Sequence, residues 1–478
     1  MITINNFING EWRESKSGQW LDLIDPSRGK AYGIAPDSTK EDVEDAVSAA
    51  SAAFPSWSSM SVEQRSEILY GIGRRIEEKL EYLAQAESRD NGKPIWLARN
   101  VDIPRASSNF KFYAKAISQY DSKAHDMPGA INYTLRQPLG VVACISPWNL
   151  PLYLFSWKVA PALAAGNTVV AKPSEVTPLT AHLLSQICQE SGLPPGVLNI
   201  VHGYGHKVGD AINRHAQIKA ISFTGSTKVG AEIASIAAPK FKKLSLEMGG
   251  KNPNIIFADC DYDKMLKTTL RSSFANQGQI CLCGSRIFVQ ASIYDKFKKD
   301  LVDKARRMEP APPHLEDTRI GAVVSKTHYD KILSYINLAK EEGGRILCGG
   351  HSVHPPSFES GYYIAPTVVE GLDFDCRTNR EEVFGPFVTI TPFETEAEVL
   401  RMANATDYGL SATLWTENLS RAHRMAKEIE AGIVWVNTWL LRDLRTPFGG
   451  VKNSGIGREG GFDALDFFTE PKNVCIAF

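Results

Sequence analysis

The sequence predicts an α/β protein built on a doubly wound parallel sheet, with a second α/β unit beside it. Three observations carry that prediction. From Asn167 onward, short apolar runs of strand type alternate with segments of helical period, as in strands joined by crossover helices. The 478 residues exceed what one hydrophobic core usually fills, so two or three domains are expected to share a cleft. No charge block, low-complexity tract or short repeat interrupts the pattern.

The elements follow in order. Ser38-Thr39-Lys40-Glu41 has the form of a capping box, and Val43, Ala46, Val47 and Ala50 then recur at helical spacing. Ser61-Val62-Glu63-Gln64 opens a second helix carrying Ile68, Leu69, Ile72 and Ile76, so the first hundred residues are read as mainly helical. At Asn167 the period changes. Thr168-Val169-Val170-Ala171 reads as a strand, and a helix follows through Leu183, Leu184 and Ile187. Strands at 197–201 and 220–223, with helices at 205–213 and 229–238, complete a βαβαβ series whose ligand belongs at the carboxyl ends of the strands. Beyond Gly249-Gly250 a second series begins with the strand Ile255-Ile256-Phe257 and helices around Leu266 and over 329–339. The Gly/Pro-rich segment 351–361 reads as a surface loop.

Charge and cysteine content narrow the function class. Lys+Arg total 53 against Asp+Glu 54, which leaves no basic excess for a nucleic-acid backbone or an anionic membrane surface. A small-molecule partner is expected. Eight cysteines in so long a chain are not a disulfide scaffold, and with no signal-like opening in Met1 to Gly10 they point to the reducing cytoplasm. The stretch from Gln137 to Trp157 has no charge, but Pro138, Pro147, Pro151 and Asn149 argue against a membrane span.

The most specific local pattern is Phe274-Ala275-Asn276-Gln277-Gly278-Gln279-Ile280-Cys281, preceded by Leu246-Glu247-Met248-Gly249-Gly250-Lys251. Together, in this order and at this separation, they resemble the cysteine and glutamate signatures of the aldehyde dehydrogenase superfamily, with Met248 where leucine is commoner. The resemblance covers essentially the whole chain. It implies the fold of that family: a Rossmann-like parallel-sheet cofactor domain, an α/β catalytic domain and a small β oligomerisation element. The implied boundaries are 1–123 and 144–249 for the NAD-binding domain and 250–436 for the catalytic domain. Residues 437–458 form a segment returning to the cofactor domain, with 124–143 and 459–478 as the oligomerisation element. A homodimer or homotetramer is expected, through strands at 131–137 and 473–478.

The resemblance also assigns roles. Cys281 is the nucleophile that forms a thioester, and Glu247 the general base that activates water. Asn149, in Pro147-Trp148-Asn149-Leu150-Pro151, supplies an amide to the oxyanion beside the Cys281 N–H. For NAD, Lys172, Ser174 and Glu175 at a strand end meet the adenosine ribose, where a carboxylate favours a free 2'-hydroxyl over a 2'-phosphate. Gly225 and Ser226 meet the pyrophosphate at a helix start, and Glu382 and Phe384 hold the nicotinamide end. No metal is expected: Cys281-Leu282-Cys283 lacks a second pair of zinc-type spacing, so Cys283 is a neighbouring side chain or a resolving thiol.

Within the superfamily, Asp102-Ile103-Pro104-Arg105, Cys281-Leu282-Cys283 and the run from Asn437 to Gly450 resemble the 2-aminomuconic and 2-hydroxymuconic semialdehyde dehydrogenases. That likeness implies an aldehyde carrying a carboxylate, anchored by Arg105 and Arg442. The competing reading makes each arginine structural, paired with Asp102 or Asp443, and Arg445 is read as structural. Rival functions are oxidation of betaine aldehyde or retinal, and a catalytically silent binding protein on the same fold.

Overall fold

A computed structural model describes residues 1–478 and shows an α/β chain organised by an eight-stranded and a seven-stranded sheet. The parallel core of the first sheet runs Lys243–Glu247, Ile218–Thr224, Val141–Ile145, Thr168–Lys172, Leu198–Ile200. Val141–Ile145 and Thr168–Lys172 are buried at every position, which explains why such strands read as unbroken apolar runs. The first of these strands in chain order lies in the middle, with its two successors on one side and the last two on the other. Winding therefore reverses between Val141–Ile145 and Ile218–Thr224, and the loops leaving their carboxyl ends part to opposite faces, opening a crevice.

The series thus starts one strand and one helix earlier than the sequence reading had it. The charge-free stretch 137–157 is the end of the Ala130–Pro138 strand, the central Val141–Ile145 strand, a turn, and the first turns of the Pro151–Ala164 helix. That helix is buried almost throughout and begins on Pro151, where a missing N–H costs nothing. Burial on both faces, rather than lipid, removed the charges.

Two further readings are corrected. The first helix, Lys40–Ser59, is capped by Thr39, and the N3 acid is Asp42, whose carboxylate accepts the Thr39 N–H at 3.0 Å. The capping box sits one residue later than the Ser38 reading. The Val62–Glu78 helix is capped by Ser61 and Gln64 as expected. Residues 40–116 are mostly helical, but the first 36 form five short strands from Ile2–Thr3 to Lys30–Pro36. Three of them have only two or three residues, too few for a period to register, and the burial of Trp20–Asp25 and Lys30–Pro36 does not strictly alternate. One of them, Asn6–Ile8, pairs antiparallel with Leu198–Ile200, and Glu11–Arg13 beyond it forms the sheet edge.

The second sheet orders Arg345–Cys348, Thr367–Glu370, Phe387–Phe393, Arg286–Gln290, Pro253–Ile256, Ser411–Trp415, Ile433–Val436, parallel except for its first strand. Residues 455–456 return to pair with Lys243–Glu247 of the first sheet, so both sheets feed one cleft. A separate three-stranded sheet joins Thr469–Ala477 to Ala130–Pro138 and Ala124–Met127, with exposed Ile131, Leu135 and Ile476 on it. No helix is long and apolar enough to cross a membrane.

Candidate active site

The switch-point crevice opens into two cavities that share Pro147, Trp148, Thr224, Gly225 and Ser226 and so make one groove. The outer cavity, about 1160 Å³, is lined by Lys172, Ser174 and Glu175. The inner one, about 750 Å³, holds Asn149, Met248, Cys281, Glu382 and Phe384. Lys172 is buried, and its Nζ donates to Glu175 Oε2 at 3.0 Å, so the carboxylate is held at the groove wall. Ser226 caps the Thr227–Ala237 helix by accepting the Val229 N–H, and Gly225, Ser226 and Val229 line the groove at that helix start. A Cβ on Gly225 would lie 2.4 Å from the Phe223 ring. Thr224 Oγ1 is buried without a partner between the two cavities. This groove suits a long anionic ligand that brings hydroxyls to one end.

At the inner end, Phe384 adopts a positive φ of 61° and stacks edge-on to Trp148 at 5.3 Å. Its carbonyl accepts from His328 Nε2 at 2.7 Å, and burial pushes the His328 imidazole down to about 4, so it is neutral at physiological pH. Glu382 is turned toward the main chain, where it accepts the Gly250 N–H at 2.9 Å, and burial raises its carboxyl above the ordinary range.

Cys281 stands at the end of a sharply bent loop. Asn276 and Gln277 are left-handed, and Gly278 follows at φ 71°, where a Cβ would lie 1.9 Å from the Gly385 carbonyl oxygen. Only glycine fits there. The bend turns the half-buried Cys281 into the inner cavity, whereas Cys283 lines a separate cavity beyond Glu382, and both are free thiols. Burial first, then the Glu382 and Glu247 carboxylates, push the Cys281 thiol upward, while Arg442 opposes them. The Cys281 N–H donates to no atom of the chain.

Asn149 is clamped to this loop. Its Nδ2 donates to the Gln279 carbonyl at 2.9 Å, and its own carbonyl accepts from Asn276 Nδ2 at 2.9 Å and from Lys93 Nζ at 3.1 Å. One amide N–H of Asn149 thus has no partner, as the Cys281 N–H has none, and both residues line the inner cavity, where two such donors can receive negative charge on one oxygen. Glu247 ends the Lys243–Glu247 strand; it is buried, and neither carboxylate oxygen has a hydrogen-bond partner. Burial, then Glu459, raise its carboxyl well above the ordinary range, while Lys158, Arg458 and Arg442 pull it back. Such a group can hold or take a proton near neutrality.

The two arginines converge from distant parts of the chain. Arg105 rises from the Ile103–Ala116 helix with its guanidinium 5.4 Å from the centre of the Tyr153 ring and 5.8 Å from that of Trp157. Arg442 stacks on Phe448 at 4.1 Å and reaches Trp157 at 5.3 Å, and its Nη1 donates to Tyr153 Oη at 3.3 Å. Neither has a carboxylate partner. Asp102 is taken by Lys93, and Asp443 by Arg445 at 2.6 Å. Buried N–H groups of both, Arg105 Nε and Nη2 and Arg442 Nη2, have no acceptor. Unpaired buried donors of positive charge are costly unless a ligand completes them.

A model of the aldehyde dehydrogenase family matches residues 12–474. The chain belongs to that family. It is 49% identical to a 2-aminomuconic semialdehyde dehydrogenase of Bos taurus, over 100% of this chain and 98% of the relative. It is 45% identical to a 2-hydroxymuconic semialdehyde dehydrogenase of Pseudomonas sp. (strain CF600), over 100% of both. The structure of PnpE in complex with nicotinamide adenine dinucleotide matches with a TM-score of 0.98 at 40% identity, covering 100% of this chain and 98% of that one.

This aldehyde dehydrogenase also carries site residues that sequence reasoning missed. Lys158 Nζ donates to Glu459 Oε1 at 2.6 Å and to Ser222 Oγ at 3.1 Å, all buried, and these charges bear on Glu247. A signal existed: Lys158 is the single charge between Gln137 and Ala171, and a charge in so apolar a run must be paired inside. Lys93, with Glu87 and Asp102, forms a second buried cluster behind Asn149. His328 gave no signal, since nothing near it in sequence indicates that it supports Phe384.

Proposed function

We propose that this enzyme oxidises 2-aminomuconate 6-semialdehyde, or the 2-hydroxy analogue, to the dicarboxylate with NAD. The observation that carries the reading is the pair of guanidinium groups, Arg105 and Arg442, with buried N–H donors and no acid of their own. A carboxylate at the far end of the substrate completes both. A cationic aldehyde such as betaine aldehyde is repelled by the same pair, and retinal leaves the donors unmatched.

In this reading residues 1–123 and 144–249 carry the cofactor, 250–436 the nucleophile, and 437–458 close the cleft from the second unit back to the first. Lys172, Ser174 and Glu175 take the adenosine ribose, Gly225 and Ser226 the pyrophosphate, and Glu382 and Phe384 the nicotinamide end. The Glu175 carboxylate favours a free 2'-hydroxyl, hence NAD over NADP. When bound, NAD supplies the hydride acceptor.

The chain's own residues do the rest. The Cys281 thiol passes its proton to solvent, and the sulfur bonds to the aldehyde carbon. The carbonyl oxygen takes the electron pair and is held by the free Asn149 amide N–H and the Cys281 N–H. As that pair returns to form the C=O bond, the C–H bond breaks with its electrons leaving as hydride, and a thioester remains on Cys281. Glu247 then takes a proton from water, whose oxygen attacks the thioester carbonyl; the C–S bond breaks and the acid departs.

All eight cysteines are free, which supports a reducing compartment such as the cytoplasm. The unpaired edge of Thr469–Ala477 supports assembly into a homodimer or homotetramer. The test is NADH formation by the wild type, Cys281→Ala and Arg442→Ala with the semialdehyde, betaine aldehyde and retinal. Turnover of the semialdehyde that falls selectively in Arg442→Ala is expected. Betaine aldehyde as the best substrate, undiminished in Arg442→Ala, overturns the substrate; NAD binding without NADH from any aldehyde overturns the catalysis.

A further inference from the structure

The loop that presents Arg442 is tied to the backbone of the nucleophile itself. Trp439 is buried, and its Nε1–H donates to the carbonyl of Leu282, the residue next to Cys281, at 2.9 Å. The carbonyls on either side, of Cys281 and Cys283, accept from Asn252 Nδ2 at 2.6 and 2.9 Å. Three consecutive carbonyls at the nucleophile are therefore gripped by side chains, and only the middle one is gripped from the Arg442 loop.

The loop is braced at both ends of that tie. Arg271, on the Tyr262–Phe274 helix that leads into the nucleophile bend, donates from Nη2 to the Trp439 carbonyl at 2.9 Å and stacks on the Trp439 ring at 5.4 Å. Trp435 Nε1–H donates to the Leu441 carbonyl at 3.0 Å, immediately before Arg442. Asn437 and Leu440 are left-handed, at φ 55° and 60°. Non-glycine residues keep that conformation only where their surroundings over-determine it. Leu441 itself is exposed, so hydrophobic burial of that residue does not hold the loop.

We infer that Trp439 is a positioning residue that sets the span between the Arg442 guanidinium and the Cys281 sulfur, making the site a length gauge for aldehydes that end in a carboxylate. The inference rests on Arg442 as the anchor of the proposed substrate. A rigid span rewards the one chain length that fits it, because both ends bind without further ordering. An elastic span accepts neighbouring lengths alike.

The experiment compares wild type, Trp439→Phe, Trp435→Phe and Arg442→Ala on saturated four-, five- and six-carbon semialdehydes carrying a terminal carboxylate, and on propanal. Trp439→Phe keeps a buried aromatic ring but removes the N–H together with part of the indole volume, so propanal serves as the control for lost packing. The expected result is a loss of about tenfold in kcat/KM at the preferred length, carried by KM, with the length profile flattened and propanal changed less than about twofold, as for one lost charge-free hydrogen bond. Trp435→Phe flattens the profile in the same sense and carries the test if Trp439→Phe does not fold. A loss shared equally by propanal, or a profile left as sharp as the wild type's, overturns the gauge. Arg442→Ala separates the two readings: if it does not reduce the preference for carboxylated aldehydes over propanal, the anchor itself is wrong whatever the tryptophans do.

Discussion

The cluster behind Asn149 makes a demanding prediction. Lys93, Glu87 and Asp102 are wholly buried, with Lys93 Nζ paired to Asp102, 3.5 Å from Glu87, and bonded to the Asn149 carbonyl. Burial pushes both carboxyls up, and Lys93 pulls them down. Lys93→Met keeps most of the side-chain volume and removes the only cation. Deleting one partner of a buried pair costs about 3–5 kcal/mol, because the remaining charge is left without compensation. Asp102→Asn leaves Lys93 with Glu87 and costs about 1–3 kcal/mol. The sign of the pH dependence is determined by the same geometry. Carboxyls raised in the folded state contribute stability that is present below their unfolded pKa and lost as pH rises through the folded one. Without Lys93 they are raised further, so the gap between wild type and Lys93→Met is smallest in acid and widens as pH rises. Urea unfolding, followed by the fluorescence of buried Trp57 and Trp157, at several pH values measures that gap. The variant also frees Asn149, so kcat falls, by less than the roughly 100-fold loss expected for deleting an oxyanion donor. A Lys93→Met enzyme as stable as the wild type, or a gap that narrows toward alkaline pH, refutes the reasoning.

Other outcomes follow from the site. Glu247→Gln retains one rapid turnover of NADH per site and slows the steady state about 10²–10⁴-fold, seen as a burst in stopped flow; loss of the burst itself would show that Glu247 acts before the thioester. Glu175→Gln raises the NADP-to-NAD ratio of kcat/KM about tenfold, a modest shift because Lys172 already offsets that carboxylate at 3.0 Å; an unchanged ratio removes Glu175 from cofactor choice. Gly225→Ala puts a Cβ 2.4 Å from the Phe223 ring, and overpacking of about 1–3 kcal/mol raises the KM for NAD about tenfold with the aldehyde KM unchanged; titration of NAD at saturating aldehyde decides it.

Much of the candidate site was named by resemblance, and the motifs that carry the resemblance are local. Glu247 and Cys281 lie in short runs whose residue types are dictated by a strand end and a left-handed bend, and Lys172, Glu175 and Ser226 sit where strands give way to turns. Three of the N-terminal strands were missed because two or three residues carry no period, and Trp20–Asp25 and Lys30–Pro36 because their burial does not strictly alternate. The Val141–Ile145 strand was missed because it lies inside the charge-free stretch 137–157, where the equally buried Pro151–Ala164 helix leaves no change of polarity to mark strand from helix.

Pairing was the part that proximity in sequence misjudged. Asp102 lies three residues before Arg105 and Asp443 one after Arg442, yet neither acid serves the arginine beside it. Asp102 ends a π-helical turn pointing inward to Lys93, and Asp443 folds back on Arg445. The chain's own order of residues determined the βαβ alternation, the bend before Cys281 and the chemistry available at each position, since those depend on neighbours within a few residues. Only the tertiary structure decided that two arginines from opposite ends of the chain meet without a counter-charge, because ion pairing depends on distance and burial in space and not on separation along the chain.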